Sequence, residues 1–164
     1  MGLLREFCRL LPGGPQSAAE SPWLKGKVAV DEPHSSGPVV AVILSYTKVA
    51  DRDLAPLCWF PQLRPLDLGN TRITDAGLAH LRGLSHLRTL FLNLTPVGDA
   101  GMRHLGGLTE LQELNLFSTN VTDEGLVHLR GLTRLQSLTL TRTHVTEAGV
   151  RDLQKALPGL KVLR

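Results

Sequence analysis

Leu111–Leu132 reads LQELNLFSTNVTDEGLVHLRGL, and its two ends obey different periods. In LQELNL, Leu114 and Leu116 alternate with polar neighbours, the pattern of a short strand with one buried face. In DEGLVHL, Leu126 and Leu129 stand three apart, which puts them on one side of a helix. Thr122 precedes the acid and suits a helix N-cap, while Asp123 sits in the first turn, where the helix dipole favours negative charge. A strand and a helix within so few residues cannot form a domain alone. Burying about seven inward aliphatics yields roughly 10–20 kcal/mol, whereas ordering each backbone residue costs about 1–2 kcal/mol. The unit therefore needs neighbours of its own kind.

The chain supplies them at a 24-residue step. Leu63, Leu87, Leu111 and Leu135 lead each unit, followed by Leu66 and Leu68, Leu90 and Leu92, Leu114 and Leu116, and Leu138 and Leu140. A threonine comes next (Thr71, Thr95, Thr119, Thr143), then Ile73, Val97, Val121 or Val145. An acid (Asp75, Asp99, Asp123, Glu147) precedes Gly77, Gly101, Gly125 or Gly149 by two residues. A weaker copy lies upstream in Val39, Val42, Leu44, Thr47, Val49, Asp51, Leu54 and Leu57. Five coils follow from this phase: 39–62, 63–86, 87–110, 111–134 and 135–159, the last with one extra residue, and a terminal strand over 160–164. Strands repeated at this step stack in parallel, with their leucines inward. The threonine column, Thr47 included, falls where the backbone turns in and leaves polar groups without ladder partners, which stacked hydroxyls can satisfy.

Outside the repeats, Lys27–Asp31 alternates like a strand and precedes a turn-rich spacer, so 24–38 is expected to be a cap strand and loop. Residues 1–23 are expected to be mobile, given Gly13, Gly14 and Pro15 and the small polar run after them. Several positions break the pattern. Pro65 lacks a backbone donor, so the second coil's strand should start late or be irregular. Pro96 and Gly98 replace the usual residue and cap before the third coil's helix. Trp59 and Asp53 stand where later coils have Gly83 and Gly77, so the first coil should be atypical. Gly83, Gly107 and Gly131 are expected to close the helices in a left-handed conformation.

The unit LxxLxLxxTxVTDxGLxHLxGLxx resembles the repeat of bacterial leucine-rich-repeat proteins. It is also similar to the repeats of F-box-type leucine-rich-repeat proteins, although no F-box segment is visible. The resemblance covers about three-quarters of the chain. It implies an α/β leucine-rich-repeat solenoid: a right-handed stack of coils with a curved parallel sheet on the concave face and short helices on the convex face. It further implies recognition of a protein partner through the concave sheet.

On that face the outward strand positions are Ala41, Ile43 and Ser45; Pro65, Asp67 and Gly69; Thr89, Phe91 and Asn93; Glu113, Asn115 and Phe117; and Ser137, Thr139 and Thr141. Phe91 and Phe117 are near diagonal neighbours at a strand spacing of about 4.8 Å. Exposed aromatics among small polar residues are the composition of a binding anchor. The candidate partner-binding residues are therefore Asp67, Phe91, Asn93, Glu113, Asn115 and Phe117.

No catalytic site is expected. Isolated carboxylates at repeat positions do not make a tuned acid/base pair, and no nucleophile–base spacing, phosphate-cradling glycine loop or CxxC appears. His80, His104 and His128 recur on the helical side, where elements about 8–10 Å apart are too distant for metal bonds near 2 Å. The column reads as a solvated or boundary position. No metal or cofactor is expected. The formal charge of +3 weakly favours acidic partners, but acids intersperse the basic residues Arg64 and Arg88 and no aromatic platform tracks them, so nucleic acid is not expected. No apolar run has membrane-spanning length. The two cysteines, Cys8 and Cys58, lie far apart in unlike contexts and suit a reduced state. A cytoplasmic monomer that binds an unidentified protein is the expectation. A structural or regulatory remnant of a longer protein is the rival, and an enzyme the remote third.

Overall fold

Leucines at alternating positions build a seven-stranded sheet whose order follows the chain. A computed structural model describes residues 27–30 and 39–164. The strands are β1 (Lys27–Val30), β2 (Val39–Ile43), β3 (Pro65–Asp67), β4 (Thr89–Phe91), β5 (Glu113–Asn115), β6 (Ser137–Thr139) and β7 (Lys161–Leu163). β1 pairs antiparallel with β2, and every later neighbour is parallel. The expected mobile segment, and most of the expected cap around β1, lie outside the described residues. The α-helices are α1 (Asp75–Leu78), α2 (Asp99–Leu105), α3 (Asp123–Leu126) and α4 (Glu147–Ala156). The first coil has a 3-10 helix, Asp51–Trp59, in their place.

The core is one aliphatic stack. Leu66, Leu90, Leu114 and Leu138, each opposite the next in register, are all fully buried. The threonine column does what its position requires. Thr47, Thr71, Thr95, Thr119 and Thr143 each donate from the hydroxyl to the carbonyl three residues back, at 2.6–2.8 Å. Each coil thereby satisfies its own inward-turning backbone.

Coils are joined on the helical side by a device that the dipole argument did not foresee. Asp51 accepts from the Thr74 backbone N–H at 2.7 Å and from its hydroxyl at 2.6 Å. Asp99 does the same with Thr122, and Asp123 with Thr146. Asp75 accepts from the Gly98 N–H at 2.7 Å. Each acid thus holds the N-cap of the following coil, and the threonine caps also accept, at 3.2–3.3 Å, from their own helices. The glycine column makes room for these carboxylates. A Cβ on Gly77, Gly101, Gly125 or Gly149 would stand 2.1–2.5 Å from the preceding coil's aspartate Oδ1. In the first coil Asp53 replaces that glycine and accepts from the Ala50 N–H at 2.9 Å, supplying from within what a preceding coil would otherwise supply.

Two expectations are corrected. β3 is regular, with Pro65 opposite Thr89. At the matching positions the N–H only shares a carbonyl with its predecessor: the Arg64 oxygen accepts from Arg88 N at 2.8 Å and from Thr89 N at 3.1 Å. In the second coil Arg64 N keeps the stronger bond, to Val40 O at 2.9 Å, so Pro65 forfeits only the weaker one. Gly83, Gly107 and Gly131 do not have positive φ, and a Cβ on any of them would meet nothing within 4 Å. The left-handed residues stand elsewhere, at one repeat position: Tyr46, Asn70, Leu94, Ser118 and Arg142, with φ of 51–60°.

The extra residue near the end is absorbed before β7. Leu160 N donates to Leu157 O just as Leu135 N does to Leu132 O, yet Lys161 pairs with Ser137 at the regular step. Val162 therefore faces the core and Leu163 turns outward, 60% exposed.

Candidate functional site

The concave surface is built by alternation along the strands. Register places Ile43, Asp67, Phe91, Asn115, Thr139 and Leu163 in one row across the sheet. Thr89 and Glu113 face each other in the row before it. Phe117, two residues beyond Asn115, stands diagonal to Phe91, as the repeat phase predicts. Both rings are half-buried. The Arg142 guanidinium lies 5.6 Å from the Phe117 ring centroid, a cation–π arrangement.

The polar candidates are not all free to act. Asp67 Oδ1 accepts from Gly69 N, and Asn115 Oδ1 accepts from Phe117 N, both at 2.9 Å. These i-to-i+2 bonds shape the chain's own turn after the strand. The Asn93 side chain lies over Gly69, where a Cβ would be 2.7 Å from its Oδ1. Glu113 is exposed on the face. The structure therefore brings the six candidates onto one surface, but gives Asp67 and Asn115 structural work as well.

Sequence reasoning missed the left-handed column at the edge of this face. Tyr46 is 75% exposed and Leu94 42% exposed. Of its five members only Asn70 is a residue type that favours positive φ, so composition did not mark the position. Its function in the backbone is clear. The N–H of Tyr46, Asn70, Leu94 and Ser118 each donates to the next coil's carbonyl at 2.7–3.0 Å.

On the helical side, His80 is half-buried and His128 exposed, but His104 is only 8% exposed. This corrects the expectation of a solvated or boundary column at that member. The reason is helical winding. α2 is continuous through His104, whereas the second and fourth coils pass into 3-10 turns, Ala79–Leu81 and Val127–Leu129, before the matching residue. The tighter turn carries those histidines to a different angle. His104 Nδ1 is buried without a hydrogen-bond partner among the described residues. Burial, then the charges of Arg82 and Arg103, push its pKa below the ordinary imidazole range, against a smaller pull from Asp75. Among the described residues no group of three or more His, Cys, Asp or Glu is placed to hold a metal ion. No described helix is long and apolar enough to cross a membrane.

Two hollows lie away from the concave candidates. One, about 650 Å³, opens between the turns before β6 and β7, beside Leu135, Leu157 and Gly159. The other, about 260 Å³, lies between α3 and α4.

The family described as Leucine Rich repeat matches residues 108–129, which cover most of the fourth coil and the turn before it. No curated protein matches the chain. The fold is similar to a leucine-rich-repeat protein of Leptospira interrogans, with TM-score 0.58 and 18% identity over 75% of this chain and 36% of that one. It is similar to an internalin from Listeria monocytogenes, with TM-score 0.50 and 22% identity over 76% of this chain and 47% of that one. It is also similar to the actin-binding site 2 of leiomodin-1, with TM-score 0.56 and 20% identity over 73% and 79% of the two chains. The chain thus spans about a third and about half of the first two. At these identities the likeness establishes the fold: the chain is a leucine-rich-repeat solenoid.

Proposed function

We propose that this leucine-rich-repeat solenoid is a noncatalytic protein-interaction module that holds its partner on the concave sheet around Phe91 and Phe117. The observation that carries the reading is the diagonal pair of half-buried aromatic rings in the middle of a face whose other side chains are small or polar, apart from the aliphatic Ile43 and Leu163 at its two ends. Such rings lose little conformational entropy on contact and bury large apolar area, as interface anchors do. The fold is typical of protein–protein interaction modules. One similar structure, actin-binding site 2 of leiomodin-1, puts this fold to protein binding.

Replacing both rings, Phe91→Ala with Phe117→Ala, should reduce capture of the native partner from host extract at least tenfold, since an anchor truncation costs about 2 kcal/mol or more. The circular dichroism spectrum should be unchanged. Undiminished capture by the folded double variant refutes the site.

A further inference from the structure

The left-handed column carries a binding feature of its own. Two positions, flanking the column threonine of each coil, form the rim of the sheet beyond the strands' C-terminal ends. One is the left-handed column that includes Tyr46, Leu94 and Arg142; the other, two residues on, includes Lys48, Arg72 and Pro96. Across all five coils neither position carries an Asp or Glu, although acids occur on the strand face and at every helix start. Lys48, Arg72 and Arg142 are exposed, and none is in an ion pair among the described residues. The middle coil interrupts the basic residues with exposed Leu94 and Pro96. The rim is thus cationic toward both ends and apolar at the centre.

Its backbone is rigid. The N–H groups of the left-handed column donate forward to the next coil. At the other position, Arg72, Asn120 and His144 donate back, to Val49, Val97 and Val121, at 2.8–3.0 Å. The side chains are therefore presented outward from a doubly laddered frame. Leu94 also sits at φ 58°, where a branched side chain costs roughly 1–2 kcal/mol that Gly or Asn would largely avoid. An exposed leucine on strained backbone contributes little to the core, so its value lies in its surface.

We propose that this rim binds an acidic, extended peptide segment of a partner protein, with carboxylates toward Lys48, Arg72 and Arg142 and apolar side chains over Leu94 and Pro96. The inference rests on the interaction reading above and names the chemistry of the partner. Arg142 already stacks on Phe117, so a carboxylate paired there joins the rim to the concave anchor. Four intervals of about 4.8 Å separate the first and fifth coils, a span that about six extended residues cover. Of the ten rim positions only Tyr46 carries a Phe, Tyr or Trp, so the rim lacks the successive aromatics on which bases stack, which argues for peptide over nucleic acid.

The test is selection of random octapeptides against the whole chain. Enriched sequences should carry Asp or Glu at both ends and apolar residues at the centre, and a synthetic peptide of that consensus should bind more weakly as salt is raised. The triple variant Lys48→Glu, Arg72→Glu and Arg142→Glu should bind it at least tenfold more weakly, with unchanged circular dichroism. Leu94→Asn should raise stability while weakening the peptide several-fold, opposite movements that a purely structural leucine would not give. Neutral or basic consensus sequences, no enrichment, an unaffected charge-reversed variant, or tighter binding of a single-stranded oligonucleotide each overturn the proposal. Phe91→Ala, off the rim, separates the two readings: native-partner capture lost with Phe91→Ala but kept with the charge-reversed rim refutes this inference alone, and capture kept by both variants refutes both.

Discussion

Single residues here are chosen by what they meet in the next coil. The acid of each repeat is legible from sequence as a helix-start residue, yet its bonds run across the joint to the next cap. Burial of His104 is similarly invisible in a column of three like residues, because it depends on whether the turn winds as α or 3-10. His104 makes stability depend on pH. Its pKa is lowered in the folded state, so the unfolded chain takes up its proton first. Its contribution is intact above about pH 6.5 and is lost as pH falls below that value toward the lowered folded pKa. The urea midpoint should drop between pH 7.5 and 5.5, and His104→Leu should remove that part of the drop. Asp123, held below the usual carboxylate range first by the Thr146 hydroxyl, titrates elsewhere. Its contribution is present above about pH 4 and is lost on further acidification, so the two windows separate cleanly.

Elements follow from period and punctuation. Strand and helix positions, the inward leucines and the threonine column were all readable, because each depends on local alternation or a three-residue spacing. What escaped was conformation with no compositional mark. Left-handed φ fell on Tyr46, Leu94, Ser118 and Arg142 rather than on the glycines after the helices, since the ladder to the next coil, not the side chain, demands it. Pro65 misled for the converse reason: the bond it lacks was a weak share of an already satisfied carbonyl. The outward candidates were legible as a face, but the internal engagement of Asp67 and Asn115 required coordinates. The joint between α2 and α3 gives the sharpest test at this scale. Asp99→Ala should cost about 1–2 kcal/mol through the lost cap bonds. Gly125→Ala should cost about 1–3 kcal/mol by driving a Cβ against Asp99 Oδ1. Together they should cost less than their sum by about 0.5 kcal/mol or more in chemical denaturation. Additive losses would show that the glycine does not serve the carboxylate.

The whole molecule is a run of interchangeable coils whose stability comes from contacts between neighbours. A second copy of residues 111–134 inserted after Arg134 should therefore fold in register, because Asp123 then meets the copy's Thr122 equivalent and the copy's Asp123 equivalent meets Thr146. The denaturant slope should rise by roughly a fifth, in proportion to the added surface. An unchanged slope would mean that the added coil hangs unfolded from the rest.

That modularity has a grammar. Asp51, Asp75, Asp99 and Asp123 each speak to the coil that follows, and Gly77, Gly101, Gly125 and Gly149 are the silence that lets the message through. Asp53 fills that silence in the first coil: a like coil set ahead of it would bring one carboxylate onto another. Duplication of a repeat can therefore lengthen this array in its middle by whole coils, while its front is closed to growth twice, by β1 along the sheet edge and by the Asp53 carboxylate on the helical side.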